Sequence, residues 1–260
     1  MSHFAHFLDR QKILKSPTVN QKTAIRAAEP LHPYYPLGVD IAGYEANESS
    51  VLTLLGVFSS LCVALFAITY VAGRRVRANI SRGDLVTMMW FVLCGSLHVF
   101  FEGYFVLNFR EMGSRQDLFG QLWKEYALSD SRYLTQNTFV LCMETITSLI
   151  WGPVSYLTAA LIAIDSPYRY PFQAIISLGH LYGDVLYYAT SIFDDVLLDR
   201  QYSRPEAYYF WGYYFLMNFF WIVVPLVLLT NSVKASASAF IALQKSEKVL
   251  KANGFAKKLQ

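Results

Sequence analysis

This sequence has a small net charge and few cysteines, and each of these two features excludes a class of protein. The 260 residues carry a formal net charge of only +3, which gives no basic surface of the kind that binds nucleic acid. The cysteines Cys62, Cys94 and Cys142 form no CxxC motif and all lie in apolar runs. We interpret them as small packing residues, so a disulfide scaffold is not expected.

Motifs for metals and nucleotides are also lacking. The five histidines are His3, His6, His32, His98 and His180, and they form no HxxxH or HxxHH cluster of the kind a membrane di-iron oxygenase needs. The sequence offers no Rossmann or P-loop signature. It therefore predicts a protein without a metal site and without a cofactor.

Apolar residues are abundant instead. Hydrophobic residues make up 54% of the chain and aromatic residues 16%, which is typical of a polytopic membrane protein. Five apolar runs approach or exceed the roughly 20 residues that a membrane-spanning helix needs. We therefore predict an all-α bundle of five transmembrane helices, over the runs Val51–Ala72, Leu85–Phe109, Thr138–Ile164, Phe172–Phe193 and Ala207–Leu229.

The positions of the basic residues predict an orientation. An arginine cluster follows the first run, at Arg74, Arg75, Arg77 and Arg82, and lysines are frequent after the fifth. Both segments are expected on the cytosolic side. We thus divide the chain into a lumenal N-terminal segment (1–48), a membrane domain (49–232) and a basic cytosolic tail (233–260). The tail ends in a di-lysine pattern, Lys257-Lys258, that resembles a retrieval signal for the endoplasmic reticulum.

Ionisable residues within the apolar runs are the main functional signal. His98 and Glu102 are four residues apart in the second run, as are His180 and Asp184 in the fourth, and Glu144 lies in the third. An i, i+4 spacing places both side chains on one helix face. Such groups cost a few kcal/mol at the membrane centre and are usually functional. Taken singly, each could be a packing residue or a polar link between helices, but as a set they indicate proton chemistry.

The depths of these residues predict how they meet. At 1.5 Å per residue, Glu102 and Glu144 each lie about 9 Å from the same end of consecutive helices. Their carboxyl groups are expected to face each other, with His98 one turn deeper. Thr147 shares a face with Glu144, and Asn218 and Trp221 share a face of the fifth run. A carboxylic acid and a base beside an aromatic ring can move a carbon–carbon double bond.

Several longer segments resemble the emopamil-binding protein family, the sterol Δ8,Δ7-isomerases with an EXPERA-type membrane domain. The resemblance runs from PLHPYYP (Pro30–Pro36) to YYFLMNFFW (Tyr213–Trp221). It includes the segments CGSLHVFFEGYFVL (Cys94–Leu107), QLWKEYALSDSRY (Gln121–Tyr133), CMETITSLIWGP (Cys142–Pro153) and YGDVLYY (Tyr182–Tyr188). Residues 1–29 extend beyond the family pattern.

The resemblance implies both an architecture and a set of catalytic residues. The family has five transmembrane helices around a ligand cavity, forms homodimers and resides in the endoplasmic reticulum membrane. Its functional positions fall here on His98, Glu102, Glu144, Thr147, Asn218 and Trp221, and we add Tyr133, His180 and Asp184 as candidates for supporting roles.

The implied reaction moves the double bond of a 3β-hydroxysterol from C8=C9 to C7=C8, by protonation at C9 and deprotonation at C7. Lipophilic amines are then expected to bind as mimics of the carbocation. The alternative is a non-catalytic membrane protein of the same fold that binds sterols or cationic amines.

Overall fold

The computed structural model describes residues 32–252. Within that range the regular structure is entirely helical, which confirms the all-α prediction. The expectations for residues 1–29 and for the di-lysine ending fall outside the described residues.

Six helices organise residues 32–252, and we number them α1 to α6. They are α1 (Val51–Val76), α2 (Arg82–Asn108), α3 (Leu118–Tyr126), α4 (Thr138–Ala163), α5 (Arg169–Leu198) and α6, in which a π-helical segment (Tyr209–Leu216) continues into an α-helix (Met217–Ala252).

Polar side chains cap the starts of several of these helices. Ser50 accepts a hydrogen bond from the backbone N–H of Thr53 at the start of α1, and Ser81 does the same for Asp84 at the start of α2. Asn137 caps α4. These short oxygen-bearing side chains satisfy amides that have no partner within the helix, so they fix where the apolar runs begin.

In the described part of the chain, four helices are long and apolar enough to cross a membrane: α1, α2, α4 and α6. The predicted fourth span corresponds to α5, which has the length but is not among these four. The fifth run was expected to end near Leu229, but α6 continues to Ala252. Neither glycine nor proline occurs after Pro225 in this helix, so nothing in the local sequence ends it.

The packing places α2, α4 and α5 at the centre. α2 packs on α4, α5 packs on both α4 and α6, and α1 lies at the edge against α2 and the short α3. Arg77 and Arg169 both bind Asp84, at 2.6 and 2.5 Å, and so tie two interhelical connections together at one end of the bundle.

A buried ion pair fixes the opposite end. The Arg132 guanidinium binds the Asp130 carboxylate at 2.7 Å and donates to the Thr190 hydroxyl at 2.8 Å. Both charged side chains are almost fully buried, so each compensates the other. This pair anchors the turn before α4 to the far end of α5.

Two of the three central helices, α2 and α4, change to π-helical hydrogen bonding at midlength. The segments are Leu97–Glu102 in α2 and Thr147–Trp151 in α4. Each ends at a glycine whose N–H reaches the carbonyl five residues earlier, Gly103 to His98 and Gly152 to Thr147. Single π-helical turns inside α-helices are frequent at functional sites. In α4 the π-helical segment is followed by Gly152 and Pro153, a pair of residues that favours a kink.

Gly152 lies at a close approach between α4 and α2. A Cβ atom there would lie 2.6 Å from the Val99 Cγ2 and 3.2 Å from the His98 Cβ. Only a residue without a side chain fits at this distance.

We predict that Gly152→Ala destabilises the protein, because α2 and α4 must move apart to accept the methyl group. Overpacking of this kind typically costs about 1–3 kcal/mol. The matched control is Gly56→Ala on exposed α1, where a Cβ would meet nothing within 4 Å. The control should keep or raise the melting temperature in detergent, because alanine favours a helix by about 1 kcal/mol over glycine. Equal melting temperatures for both variants would contradict the close approach.

Candidate active site

A chain of hydrogen bonds runs through the interior of the bundle and includes the two central carboxyl groups. The Tyr133 hydroxyl donates to Glu144 Oε1 at 2.8 Å. The Glu144 and Glu102 carboxyl groups lie next to each other, close enough to share a hydrogen bond. This series of contacts thus connects the turn before α4 with the first part of α4, through Glu144, and with the π-helical segment of α2, through Glu102.

A hydrogen bond between two carboxyl groups requires a proton on one of them. Two carboxylates in contact cannot both remain ionised away from water, so such pairs share one proton. The Thr147 hydroxyl lies 3.0 Å from the Glu144 carbonyl oxygen and 3.3 Å from Glu144 Oε2. It also lies next to the Glu102 carboxyl group, so it can orient both acids.

His98 extends the chain from α2 to α5. Its Nδ1 lies 2.7 Å from the Glu102 carboxylate, and its Nε2 lies 2.9 Å from the Nε2 of His180. A carboxylate can only accept, so the His98 Nδ1 carries the proton in this contact. One proton then lies between the two Nε2 atoms. The His98–Glu102 pair of α2 therefore contacts His180 of α5 through His98.

Asp184 behaves differently from His180. The two side chains are four residues apart on α5, yet no hydrogen bond between them is present in the described part of the chain. One oxygen of the buried Asp184 carboxyl group has no partner. Of the two ionisable residues of α5, His180 therefore belongs to the hydrogen-bond chain and Asp184 does not.

Tyr133 is held in place by a dense aromatic cluster. Its ring lies 4.6 Å from the Trp123 ring and 5.2 Å from that of Phe105. The neighbouring Arg132, bound to Asp130, fixes the backbone on the other side. The donor to Glu144 is therefore positioned by packing rather than by a flexible loop.

Asn218 and Trp221 contact other groups. Asn218 donates to the Tyr126 hydroxyl at 3.0 Å, and the Tyr126 ring lies 5.4 Å from the Tyr133 ring. The half-buried Trp221 packs against Trp90, with ring centroids 5.3 Å apart. Among residues 32–252, no hydrogen bond joins Asn218 or Trp221 directly to the carboxyl groups.

Cys94 is a neighbour that the sequence analysis did not single out as functional. One ligand atom each from Cys94, His98 and His180 lies within 4.8 Å of the others, and all three residues are buried. The spacing of Cys94 and His98, four residues apart on α2, was a signal for a shared face. Only the packing of α5 on this face brings in the third residue.

Two surface concavities lie away from the hydrogen-bond chain. One of about 570 Å³ is formed on α1, and one of about 380 Å³ lies near the end of α2. Neither is lined by the residues of the hydrogen-bond chain. Their linings are Ala67, Ile68, Val71, Ala72, Arg75 and Val76 in the first, and Val106, Leu107, Asn108, Phe109, Arg110, Glu111 and Leu141 in the second.

Comparison with known proteins identifies relatives over most of the sequence. Residues 118–232 match the family described as EXPERA, the expanded EBP superfamily. This range includes Glu144, Thr147, Asn218 and Trp221, whereas His98 and Glu102 precede it.

Three relatives extend the match to α2. The chain is 36% identical over 235 residues to the 3-beta-hydroxysteroid-Delta(8),Delta(7)-isomerase of Cavia porcellus, covering 89% of this chain and 99% of that protein. The enzyme of the same name from Mus musculus is 33% identical over 211 residues, covering 81% and 90%. A probable enzyme of this name from Arabidopsis thaliana is 30% identical over 215 residues, covering 81% and 92%. The resemblance seen in the sequence is thus confirmed, and the chain belongs to the emopamil-binding protein family of the EXPERA superfamily.

Proposed function

We propose that this protein is a 3β-hydroxysteroid Δ8,Δ7-isomerase that moves a sterol double bond from C8=C9 to C7=C8. The observation that carries the proposal is the buried hydrogen-bond chain from Tyr133 through Glu144, Glu102 and His98 to His180. The similarity to isomerases over most of the chain supports it independently. The reaction adds one proton and removes one, so its atoms balance without a redox partner.

The proton that the two carboxyl groups share determines which group acts as the acid and which as the base. The protonated member of the Glu102–Glu144 pair delivers a proton to C9, and a carbocation forms at C8. The ionised member, or His98 next to it, accepts the proton from C7. Because Glu102 contacts both Glu144 and His98, the proton taken from C7 can return along the chain to the acid. Tyr133 and Thr147 orient Glu144.

We place the sterol beside Glu144, against the aromatic rings that surround it. Tyr126 belongs to this wall and links it to Asn218 on α6. Trp221 faces the cation in this proposal, where a desolvated cation–π contact is worth about 2 kcal/mol. In this proposal the sterol enters the site from the bilayer, in which the apolar substrate dissolves.

We further propose that α5 is a fifth membrane span. Its 30 residues extend about 45 Å, more than the roughly 30 Å hydrocarbon core. Its polar residues His180 and Asp184 face inward, which lowers its average hydropathy. Its exposed surface is mainly apolar, as lipid contact requires, and carries Ile175, Leu178, Tyr182, Val185, Ile192 and Phe193.

Five spans give the orientation that the arginines predict. The connections tied by Arg77, Asp84 and Arg169 then lie in the cytosol together with the basic end of α6, and the Asp130–Arg132 turn lies in the lumen. We propose residence in the endoplasmic reticulum membrane and a homodimeric state, as in the family resemblance.

We predict that the purified protein converts a Δ8-sterol to the Δ7-sterol in D₂O without an added cofactor, and that the product carries deuterium at C9. Glu144→Gln keeps the shape but removes the titrating proton. General acid–base groups contribute about 10²–10⁴-fold, so this variant should lose most turnover while it still binds sterol. Mass spectrometry of the product measures both effects.

The control for this experiment is Glu111→Gln, which changes an exposed carboxyl group at the end of α2. It should match the unchanged protein. If the intact protein binds sterol but never isomerises it, the alternative of a non-catalytic sterol- and amine-binding protein is correct. Full activity of Glu144→Gln would remove Glu144 from the mechanism.

A second prediction concerns bulky apolar tertiary amines, whose ammonium form resembles the carbocation. They should compete with sterol for binding. Trp221→Ala should weaken amine binding by about 1–2 kcal/mol through loss of the cation–π contact. Trp211→Ala removes an exposed tryptophan of the same helix and should leave the affinity unchanged. Unchanged affinity in Trp221→Ala would make Trp221 a packing residue of the Trp90 contact.

A further inference from the structure

We propose that Cys94, His98 and His180 form a binding site for a transition metal ion of the Zn²⁺ type. One ligand atom from each lies within 4.8 Å of the other two, and the residues are 0%, 3% and 5% exposed. The site goes beyond the proposed isomerase reaction, and the binding of a metal there does not depend on that reaction.

The ligand types and their arrangement suit zinc. Thiolate and imidazole are the ligands that Zn²⁺ prefers, at about 2.3 Å for sulfur and 2.0–2.1 Å for nitrogen. Cys94 and His98 are four residues apart on α2, the spacing at which one helix face supplies two ligands. His180 on α5 supplies the third, so the site crosslinks two packed helices. The imidazole nitrogens, now 2.9 Å apart, need to separate by only a few tenths of an ångström.

A carboxylate already orients one of the ligands. Glu102 accepts the hydrogen bond of the His98 Nδ1 at 2.7 Å, which directs the His98 Nε2 towards His180. Metal-bound histidines usually donate their other ring N–H to a carboxylate in this way. The contact fixes the ring and increases its strength as a ligand.

The protons and charges balance on binding. The Cys94 thiol loses its proton to solvent and binds as thiolate. The proton between the two Nε2 atoms moves to the His180 Nδ1, which is buried and has no hydrogen-bond partner. The thiolate and the Glu102 carboxylate then offset the two positive charges of Zn²⁺, as burial of an ion requires. Three protein ligands leave a fourth position for water, as in catalytic zinc sites.

Occupancy by the metal has a consequence that rests on the proposed function. A bound metal uses the His98 Nε2 and removes the proton that the two imidazoles share. The metal and proton transfer through His98 therefore exclude each other, and Zn²⁺ should inhibit isomerisation reversibly, with activity restored by a chelator.

The direct test measures binding rather than activity. The full chain in detergent is stripped with a chelator and dialysed against Zn²⁺ alone, and one ion should bind per chain. With Co²⁺ in place of Zn²⁺, a thiolate-to-cobalt charge-transfer absorption should appear, because Cys94 is a ligand. Absence of that absorption in the unchanged protein overturns the site, whatever the variants do.

Variants locate the ion. Cys94→Ala and His180→Gln should each raise the Kd for Zn²⁺ by at least about 100-fold, and Glu102→Gln by roughly 10- to 100-fold as an outer-shell partner. Cys142→Ala changes an exposed cysteine and should bind like the unchanged protein. Equal binding in Cys94→Ala and the unchanged protein, or loss of binding in Cys142→Ala, would contradict the proposal. Binding without isomerase activity would reject the proposed function and keep the metal site.

Discussion

The contact between the Glu102 and Glu144 carboxyl groups is the interaction on which the rest of the site depends. Two carboxylates cannot both stay charged in a helical interior, so we propose that the pair holds one proton and can act as both an acid and a base. Three neighbouring side chains also contact the pair. Tyr133 and Thr147 bind Glu144, and His98 binds Glu102. In the proposed reaction, this arrangement would deliver the proton that is added to the sterol and accept the proton that is removed.

The backbone on both sides of this contact departs from regular α-helix. The π-helical segments of α2 and α4 carry His98, Glu102 and Thr147, and Gly152 lets the helices touch where these segments cross. A regular helix with a larger residue at 152 would separate the carboxyl groups. The buried Asp130–Arg132 pair then sets the position of the adjacent tyrosine from outside the membrane-spanning segments.

Much of this was predictable from the sequence. The apolar runs located α1, α2 and α4 to within a few residues at most ends, because burial in lipid requires about 20 apolar residues. The meeting of Glu102 and Glu144 followed from equal depth in consecutive helices. The π-helical register was not predictable, since composition does not encode which carbonyl an amide reaches. The contact of His98 with His180 depends on which faces of α2 and α5 meet, and a single sequence carries no signal for that.

Infrared spectroscopy tests the shared proton most directly. The difference between the unchanged protein and the double variant Glu102→Gln/Glu144→Gln isolates the two carboxyl groups from all others. We predict the loss of one protonated carboxyl C=O band, which shifts in D₂O, together with the loss of one ionised carboxylate. Loss of two ionised carboxylates, or of two protonated groups, would contradict a carboxyl pair that holds a single proton.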